Sequence, residues 1–216
     1  MARLQRKVST KWSPELAYAV GLILSDGCLS QDGRHITFSS KDRDLIEVFK
    51  GALCLKNTIY FYPDYRGNRK GQYSVTFGDK VFYAFLYEVG LSTRKSLTLH
   101  KIKVPRKHFN HFLRGVFDGD GTFYTFWDKR WKTSFCYQVS IASASEDFIQ
   151  WLQQQLSMLY GTKGFIHKGK GVWDIRYVKG DSKVLFDVMY KDDQGLCLKR
   201  KKDKMTNAFV YDGTLH

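Results

Sequence analysis

The 216-residue sequence predicts an α+β fold of two pseudo-symmetric αββαββα repeats, each a curved antiparallel sheet backed by helices. Three observations predict it. Ala19-Val-Gly-Leu-Ile-Leu-Ser-Asp-Gly27 and Leu113-Arg-Gly-Val-Phe-Asp-Gly-Asp-Gly121 are apolar runs with Gly at the third place and Asp-Gly at the end. An alternating strand that enters a helix follows each, Ile36 to Ile46 and Val139 to Ile149. A further strand-to-helix passage comes next, Tyr73 to Phe82 and Trp173 to Phe186, and then Gly-Leu with a basic cluster, Gly90 to Lys95 and Gly195 to Lys202. An internal repeat constrains a fold more than any local pattern does. The boundary falls at Val104-Pro105-Arg106, giving repeats 1–105 and 106–216 of ordinary domain size.

The opening element of each repeat reads as a helix capped by Gly. Its final Asp does not suit that place. A helix C-terminus carries partial negative charge, so a carboxylate there loses roughly 0.3–1 kcal/mol where a Lys would gain it. Two such carboxylates brought to ~4 Å would repel by about 4 kcal/mol at an effective dielectric of 20. A cation held between Asp26 and Asp120 turns this cost into a use. Gly21 and Gly115 lack side chains and sit among Val20, Leu22, Ile23, Val116 and Phe117, so the two helices are expected to pack backbone to backbone and join the halves.

The strands come next. Alternation sets Tyr73, Val75 and Phe77 against Gln72, Ser74 and Thr76, and Phe135, Tyr137, Val139 and Ile141 against Ser134, Gln138 and Ser140. One face is core and the other polar. The turns between strands are loaded with cations: Asp64 to Gly71, Asp128 to Lys132 and His167 to Gly171. Strands fit a DNA major groove, where Arg, Lys, Gln and Asn pair with base edges. The contact candidates are therefore Arg66, Asn68, Arg69, Lys70, Gln72, Lys129, Arg130, Lys132, Gln138, His167, Lys168 and Arg176, with Ser74, Thr76, Ser134 and Ser140 on the same polar faces. Two sheets related by a pseudo-twofold would follow a duplex for about two turns, roughly 20 bp. Because the halves differ, the site should be only loosely palindromic.

Composition agrees. Lys and Arg number 35 against 21 Asp and Glu, a formal net charge of +14 that suits a phosphate-bearing partner. Apolar residues make up 43%, which excludes a disordered basic tail. Cys28, Cys54, Cys136 and Cys197 are scattered without a Cys-x-x-Cys pair, against zinc or redox chemistry and in favour of reduced thiols. No apolar run is long enough for a bilayer, and Met1 to Trp12 lacks a signal-peptide core, so a soluble intracellular protein, cytoplasmic or organellar, is expected.

With Gly21, Leu22, Ile23, Asp26 and Gly27 in one copy and Leu113, Gly115, Asp118, Gly119, Asp120 and Gly121 in the other, the sequence resembles the single-chain LAGLIDADG homing endonucleases. The likeness spans almost the whole chain. It departs at Leu24 and Ser25, where the name has Asp and Ala, and at Arg114, where it has Ala; the last Asp is present both times. The resemblance implies a monomer that hydrolyses both strands of DNA across the minor groove, leaving short 3′ overhangs. Two carboxylates without a His or Cys cluster select a hard divalent ion, Mg²⁺ in the cell, with Mn²⁺ able to substitute and Ca²⁺ to support binding without cleavage. Metals joining Asp26 and Asp120 to the scissile phosphates would activate water and stabilise the leaving 3′ oxygen. The family also implies backbone ligation by Ser25 and Gly119, and a basic residue in the loop before the last helix of each half: Lys95 in the first, Lys199 or Lys201 in the second. A group I intron RNA maturase, with host intron RNA as partner, and a non-cleaving DNA-binding regulator are the alternatives on this scaffold. An intein is disfavoured, since nothing in the sequence supplies splicing half-domains.

Overall fold

The computed structural model describes residues 7–64, 71–93, 99–130 and 134–213. The chain packs as two compact units: residues 1–95, 102–119 and 195–198 form the first, and 96–101, 120–194 and 199–216 the second.

In the first unit the order is α1 (Pro14–Asp26), β1 (Gly27–Leu29), β2 (His35–Ser40), α2 (Arg43–Ala52), β3 (Tyr60–Tyr62), β4 (Gln72–Gly78) and α3 (Lys80–Val89). The strands form one antiparallel sheet in the order β1-β2-β4-β3. Helix α1 starts where Pro14 follows Ser13, whose Oγ accepts from Leu16 N at 3.2 Å. It is buried from Leu16 through Leu24, the signature of a helix enclosed by protein on all sides. On the inner face of the sheet Phe38, Phe49, Phe77 and Phe82 form a chain of rings, with Phe38 and Phe49 centred 4.4 Å apart. Gly90 ends α3 in the left-handed conformation, with φ 116°, that favours glycine.

Asp79 ties this unit's N-terminal segment to α3. Its carboxylate accepts from Val81 N and Phe82 N at 2.9 Å, and from Lys7 N at 2.6 Å and Val8 N at 3.0 Å. Burial pulls the carboxyl upward, but the amides of Phe82, Val8, Lys7 and Val81 outweigh it and hold the group below the usual carboxylate range. Asp79→Ala removes a cap and strands further buried amides, so it should cost about 2–3 kcal/mol. The folded pKa is depressed, so this stabilisation is present above the unfolded value near 3.9 and lost as pH falls through the folded one. Denaturant melts of wild type and variant should therefore converge as pH falls below about 4; an unchanged gap on acidification would contradict the assignment.

After a 3₁₀ turn at Arg106–His108, α4 (Phe109–Asp120) runs through the first unit as far as Gly119, and its last residue, Asp120, belongs to the second. The helix that opens the second sequence repeat thus packs with the first unit. The second unit continues with β5 (Gly121–Trp127), β6 (Phe135–Ser143), α5 (Glu146–Tyr160), β7 (Phe165–Lys168), β8 (Trp173–Val178), α6 (Lys179–Tyr190) and α7 (Lys199–Tyr211). Its sheet order, β5-β6-β8-β7, repeats that of the first unit strand for strand, as the α+β repeat pattern predicts. Ser145 caps α5 by accepting from Phe148 N at 3.2 Å. Ser182 locks α6 to the sheet, accepting from Val139 N at 3.1 Å and donating to Tyr177 O at 2.6 Å.

Among the described residues, α7 adds a helix that αββαββα does not contain. The cluster at 199–202, which the resemblance places in the loop before the last helix and which alternatively reads as a solvated C-terminal helix face, opens this helix. Lys, Arg, Met and Ala favour helix, and Met205, Ala208 and Phe209 at i, i+3, i+4 bury one side. Phe209 stacks edge-on against Tyr137, Phe186 and Phe123 at 4.9, 5.1 and 5.7 Å, closing the second core. The four cysteines are free thiols. No helix among the described residues is long and apolar enough to cross a membrane.

Candidate metal centre and nucleic-acid interface

In the first unit α1 and α4 meet at Gly21 and Gly115. A Cβ at Gly21 would collide with Phe112 O and lie 2.8 Å from Val116 N; one at Gly115 would collide with Tyr18 O and lie 3.1 Å from Gly21 Cα. Only hydrogen fits at either place. One turn further on, a Cβ at Gly119 would collide with Ser25 and lie 3.3 Å from an Asp26 carboxylate oxygen. Ser25 Oγ donates to Gly21 O at 3.1 Å. Both helices are buried until their ends, and then Asp26 and Asp120 are exposed. Asp26 thus presents an oxygen against Gly119, the residue that precedes Asp120 in the chain.

This donor set suits a hard divalent ion. It offers carboxylate and carbonyl oxygens, and no group of three or more His, Cys, Asp or Glu among the described residues could enclose a metal. Mg²⁺ keeps several waters and takes one or two carboxylates together with phosphate oxygens, so a single protein carboxylate can serve it as a ligand.

A buried network supports α4. Asp118, 1% exposed, accepts from Tyr18 OH at 2.8 Å and from Leu198 N at 2.7 Å. Arg114, fully buried, lies over the Tyr18 ring and meets His111 Nδ1 at 2.9 Å. The sequence offers Asp118 and Arg114 only as letters of a motif; their partners lie up to a hundred residues away, beyond any local pattern.

In the second unit Lys201 Nζ donates to Gly121 O at 2.6 Å, and Lys204 Nζ to Phe123 O at the same distance. Of the two lysines the sequence leaves open, Lys201 is thus the one set against the backbone beside Asp120; Lys199 is exposed one turn-fraction earlier. Lys95 lies outside the described residues.

Asp120 also lies at a groove of about 520 Å³ on the open face of the second sheet, lined by Thr122, Tyr124, Phe126, Gln138, Ser140, Asp174 and Arg176. Pairing places Tyr124 opposite Gln138, and Ser140 opposite Arg176. Asp174 accepts from Arg176 Nε, from Arg176 Nη2 at 3.2 Å, and meets His167 Nδ1 at 3.1 Å. Burial raises the Asp174 carboxyl, but the bonds from Arg176 and His167 hold it below the usual range. The carboxylate therefore stays charged and fixes the arginine.

Gln138, Arg176 and His167 share this face. Lys168 does not join them: it is the next residue of β7, turns to the other side, and sits over the Trp173 ring at 4.8 Å. Ser140 lies on the face but is only 7% exposed, because longer neighbours overhang it. Ser74 on the first sheet is 5% exposed and accepts from Ser39 Oγ at 3.0 Å. These serines form a floor rather than reaching outward. Gln72 and Thr76 are exposed, and Thr37 and Ser39 of β2 and Tyr60 and Tyr62 of β3 lie on the same face by register. Ser134 precedes β6, its Oγ 3.7 Å from Cys136 Sγ. Arg130, largely exposed, is held by Asp128 at 3.0 Å, with exposed Lys129 beside it. Arg66, Asn68, Arg69, Lys70 and Lys132 lie outside the described residues.

The repeat pattern includes a strand at β5 but marks none of its residues as a DNA contact. Thr122-Phe-Tyr-Thr-Phe-Trp127 has no polar alternation, yet Tyr124 and Phe126 turn to the groove while Phe123 enters the core. The signal was the pairing partner, Gln138, rather than the strand itself.

Residues 110–188 match the family model of the LAGLIDADG-like domain. No curated protein matches the chain by sequence. Solved structures match it over most of its length. The homing endonuclease I-WcaI bound to its DNA recognition sequence is 17% identical with a TM-score of 0.66, covering 93% of this chain and 88% of that one. Full-length DUF199/WhiA from Thermatoga maritima is 14% identical with a TM-score of 0.58, covering 93% of this chain and 61% of that one. I-DmoI in complex with DNA and Mn is 16% identical with a TM-score of 0.52, covering 82% of this chain and 97% of that one. Residues 110–188 are therefore a LAGLIDADG-like domain, and the chain has the two-domain LAGLIDADG fold that homing endonucleases bound to DNA also have.

Proposed function

We propose that this chain is a site-specific double-strand DNA endonuclease that acts as a monomer and cleaves a long, loosely palindromic target, leaving 3′ overhangs. The observation that carries it is the pair of buried motif helices that surface only at Asp26 and Asp120. Repeats 1–105 and 106–216 each read one half of the target. I-DmoI structures with DNA and Mn, and with DNA and Ca, support a divalent cofactor, Mg²⁺ in the cell.

Asp26 and Asp120 would hold the ions, with the backbone carbonyls of Ser25 and Gly119 as further ligands. Bound ions supply Lewis acidity, activating water and stabilising the leaving 3′ oxygen. Gly119, lacking a side chain, leaves room for the Asp26 carboxylate. Lys201, anchored at Gly121 O, adds positive charge where the phosphate is attacked in the second half, and Lys95 is the counterpart in the first. The open sheet faces orient the duplex. Gln72 and Gln138 suit adenine edges and Arg176 a guanine edge, because those side chains pair bidentately there.

The test is to incubate the purified chain with a randomised duplex library in Mg²⁺ and sequence the ends. Recurrent cuts on both strands at one motif are expected. Binding without cuts would return the chain to the non-cleaving regulator, and rescue of intron splicing without cuts to the maturase. A further prediction concerns the turns: replacing Arg69, Lys70, Arg130 and Lys132 by Ala should lower the slope of log K against log salt by about 3 to 4, since each neutralised phosphate contributes about 0.9. An unchanged slope removes these residues from the interface.

A further inference from the structure

Phe126, Phe165 and Val178 expose 45%, 48% and 48% of their surface. Single exposed apolar residues are ordinary on any protein surface. These three share one face. Strand pairing sets Tyr124 on one side of Gln138 and Val178 on the other, and Phe165 beside Arg176; Phe126 lies two residues along β5 from Tyr124, in the same groove. Gln138 is therefore flanked across the sheet by Val178, and Arg176 by Phe165, each about 4.8 Å away, while Phe126 faces Cys136 one same-face step along from Tyr124 and Gln138. The major groove offers one apolar mark, the thymine 5-methyl, which is contacted by side chains such as Phe. A protein with a net charge of +14 and Arg176 on this face is suited to phosphate-bearing DNA rather than to an apolar protein partner.

We propose that Phe126, Phe165 and Val178 determine specificity by reading thymine 5-methyl groups in the half of the target that lies on the second sheet. This rests on the DNA endonuclease reading and adds which bases that sheet selects. Gln138 and Arg176 supply hydrogen bonds, and the three apolar side chains distinguish thymine from the other pyrimidine by shape. On the first sheet the corresponding face carries Thr37, Ser39, Gln72, Thr76 and the phenols of Tyr60 and Tyr62, each ending in a hydrogen-bonding group, so methyl reading is assigned to the second sheet.

The test uses binding in Ca²⁺, where cleavage is not needed. Two randomised duplex libraries are selected in parallel, one made with dT and one with dU, which keeps pairing and O4 and lacks only the methyl. The dT arm should yield a motif with thymine at two or more positions of one half. Replacing those with dU should weaken binding about four-fold per methyl, the worth of one buried apolar carbon. Phe126→Ser and Phe165→Ser should each erase the dT-to-dU difference at one position and leave the melting temperature unchanged; Trp127→Ser, which alters the opposite side of β5, should leave the difference intact. A motif bound equally well with dT and dU overturns the proposal and spares the endonuclease reading. No enriched motif in either arm overturns both. Self-association of the wild type that Phe126→Ser abolishes would assign the face to a second copy of the chain and overturn the proposal as well.

Discussion

Asp26→Asn or Asp120→Asn is expected to abolish double-strand cleavage in Mg²⁺, by roughly 10²-fold or more, the loss typical of removing one electrostatic contributor to a transition state. Asn matches Asp in size and keeps a carbonyl oxygen, so folding should survive and the melting temperature should stay near that of the wild type. It lacks the negative charge that draws a hard cation, and the proposed chemistry depends on that charge. Binding should move the other way. In metal-free buffer each carboxylate repels the phosphates it is proposed to face, so the Asn variants should bind DNA as tightly as wild type or more tightly. A merely structural role for the acids predicts the reverse, with binding and stability falling together. The decisive measurement pairs cleavage in Mg²⁺ with affinity in EDTA and in Ca²⁺ for the single and double variants; full cleavage by the double Asn variant would refute the assignment.

The repeat was legible because it is written in local chemistry. Gly at the third place and Asp-Gly at the end of two apolar runs can be read without knowing what packs on what, and so can the alternation in Tyr73 to Phe77 and Phe135 to Ile141. What escaped depended on tertiary partners. The aromatic run of β5 hides its two faces, since Phe123 and Phe126 are the same residue type, one 3% exposed and the other 45%. The polar positions of β4 and β6 were read as one surface, but Ser74 and Ser140 lie beneath larger neighbours. The buried side of α7 is hidden by its charge, because Lys199 to Lys202 read as a solvated helix face while only Met205, Ala208 and Phe209 enter the core. The bond from Leu198 N to Asp118 joins residues eighty positions apart, which no local pattern records.

Gly115→Ala is expected to lower stability and cleavage together. Ala is the better helix former by about 1 kcal/mol, so a helix in isolation would gain. Here the added carbon would strike Tyr18 O and press on Gly21 Cα and Leu22 N, each 3.1 Å away. All three are backbone atoms of a buried helix, and no rotamer change can clear them. Either α1 and α4 separate, opening a gap along their buried faces, or the overpacking strain of about 1–3 kcal/mol is carried in place and more than cancels the helical gain. Gly21→Ala meets Phe112 O and Val116 N from the other side and should act in the same direction. The internal control is Gly51 in α2, where a Cβ has nothing within 4 Å. Gly51→Ala should therefore stabilise by up to about 1 kcal/mol. Thermal melts should lower the midpoint by several degrees for Gly115→Ala and raise it by roughly 2–4 °C for Gly51→Ala, on the scale expected for a chain of this size. The separation matters for chemistry too, since moving α4 from α1 carries Gly119 away from Ser25 and Asp26. Cleavage by Gly115→Ala should thus fall even below its melting temperature. If Gly115→Ala melts at or above the wild type, the close approach of these two helices does not hold the first unit together.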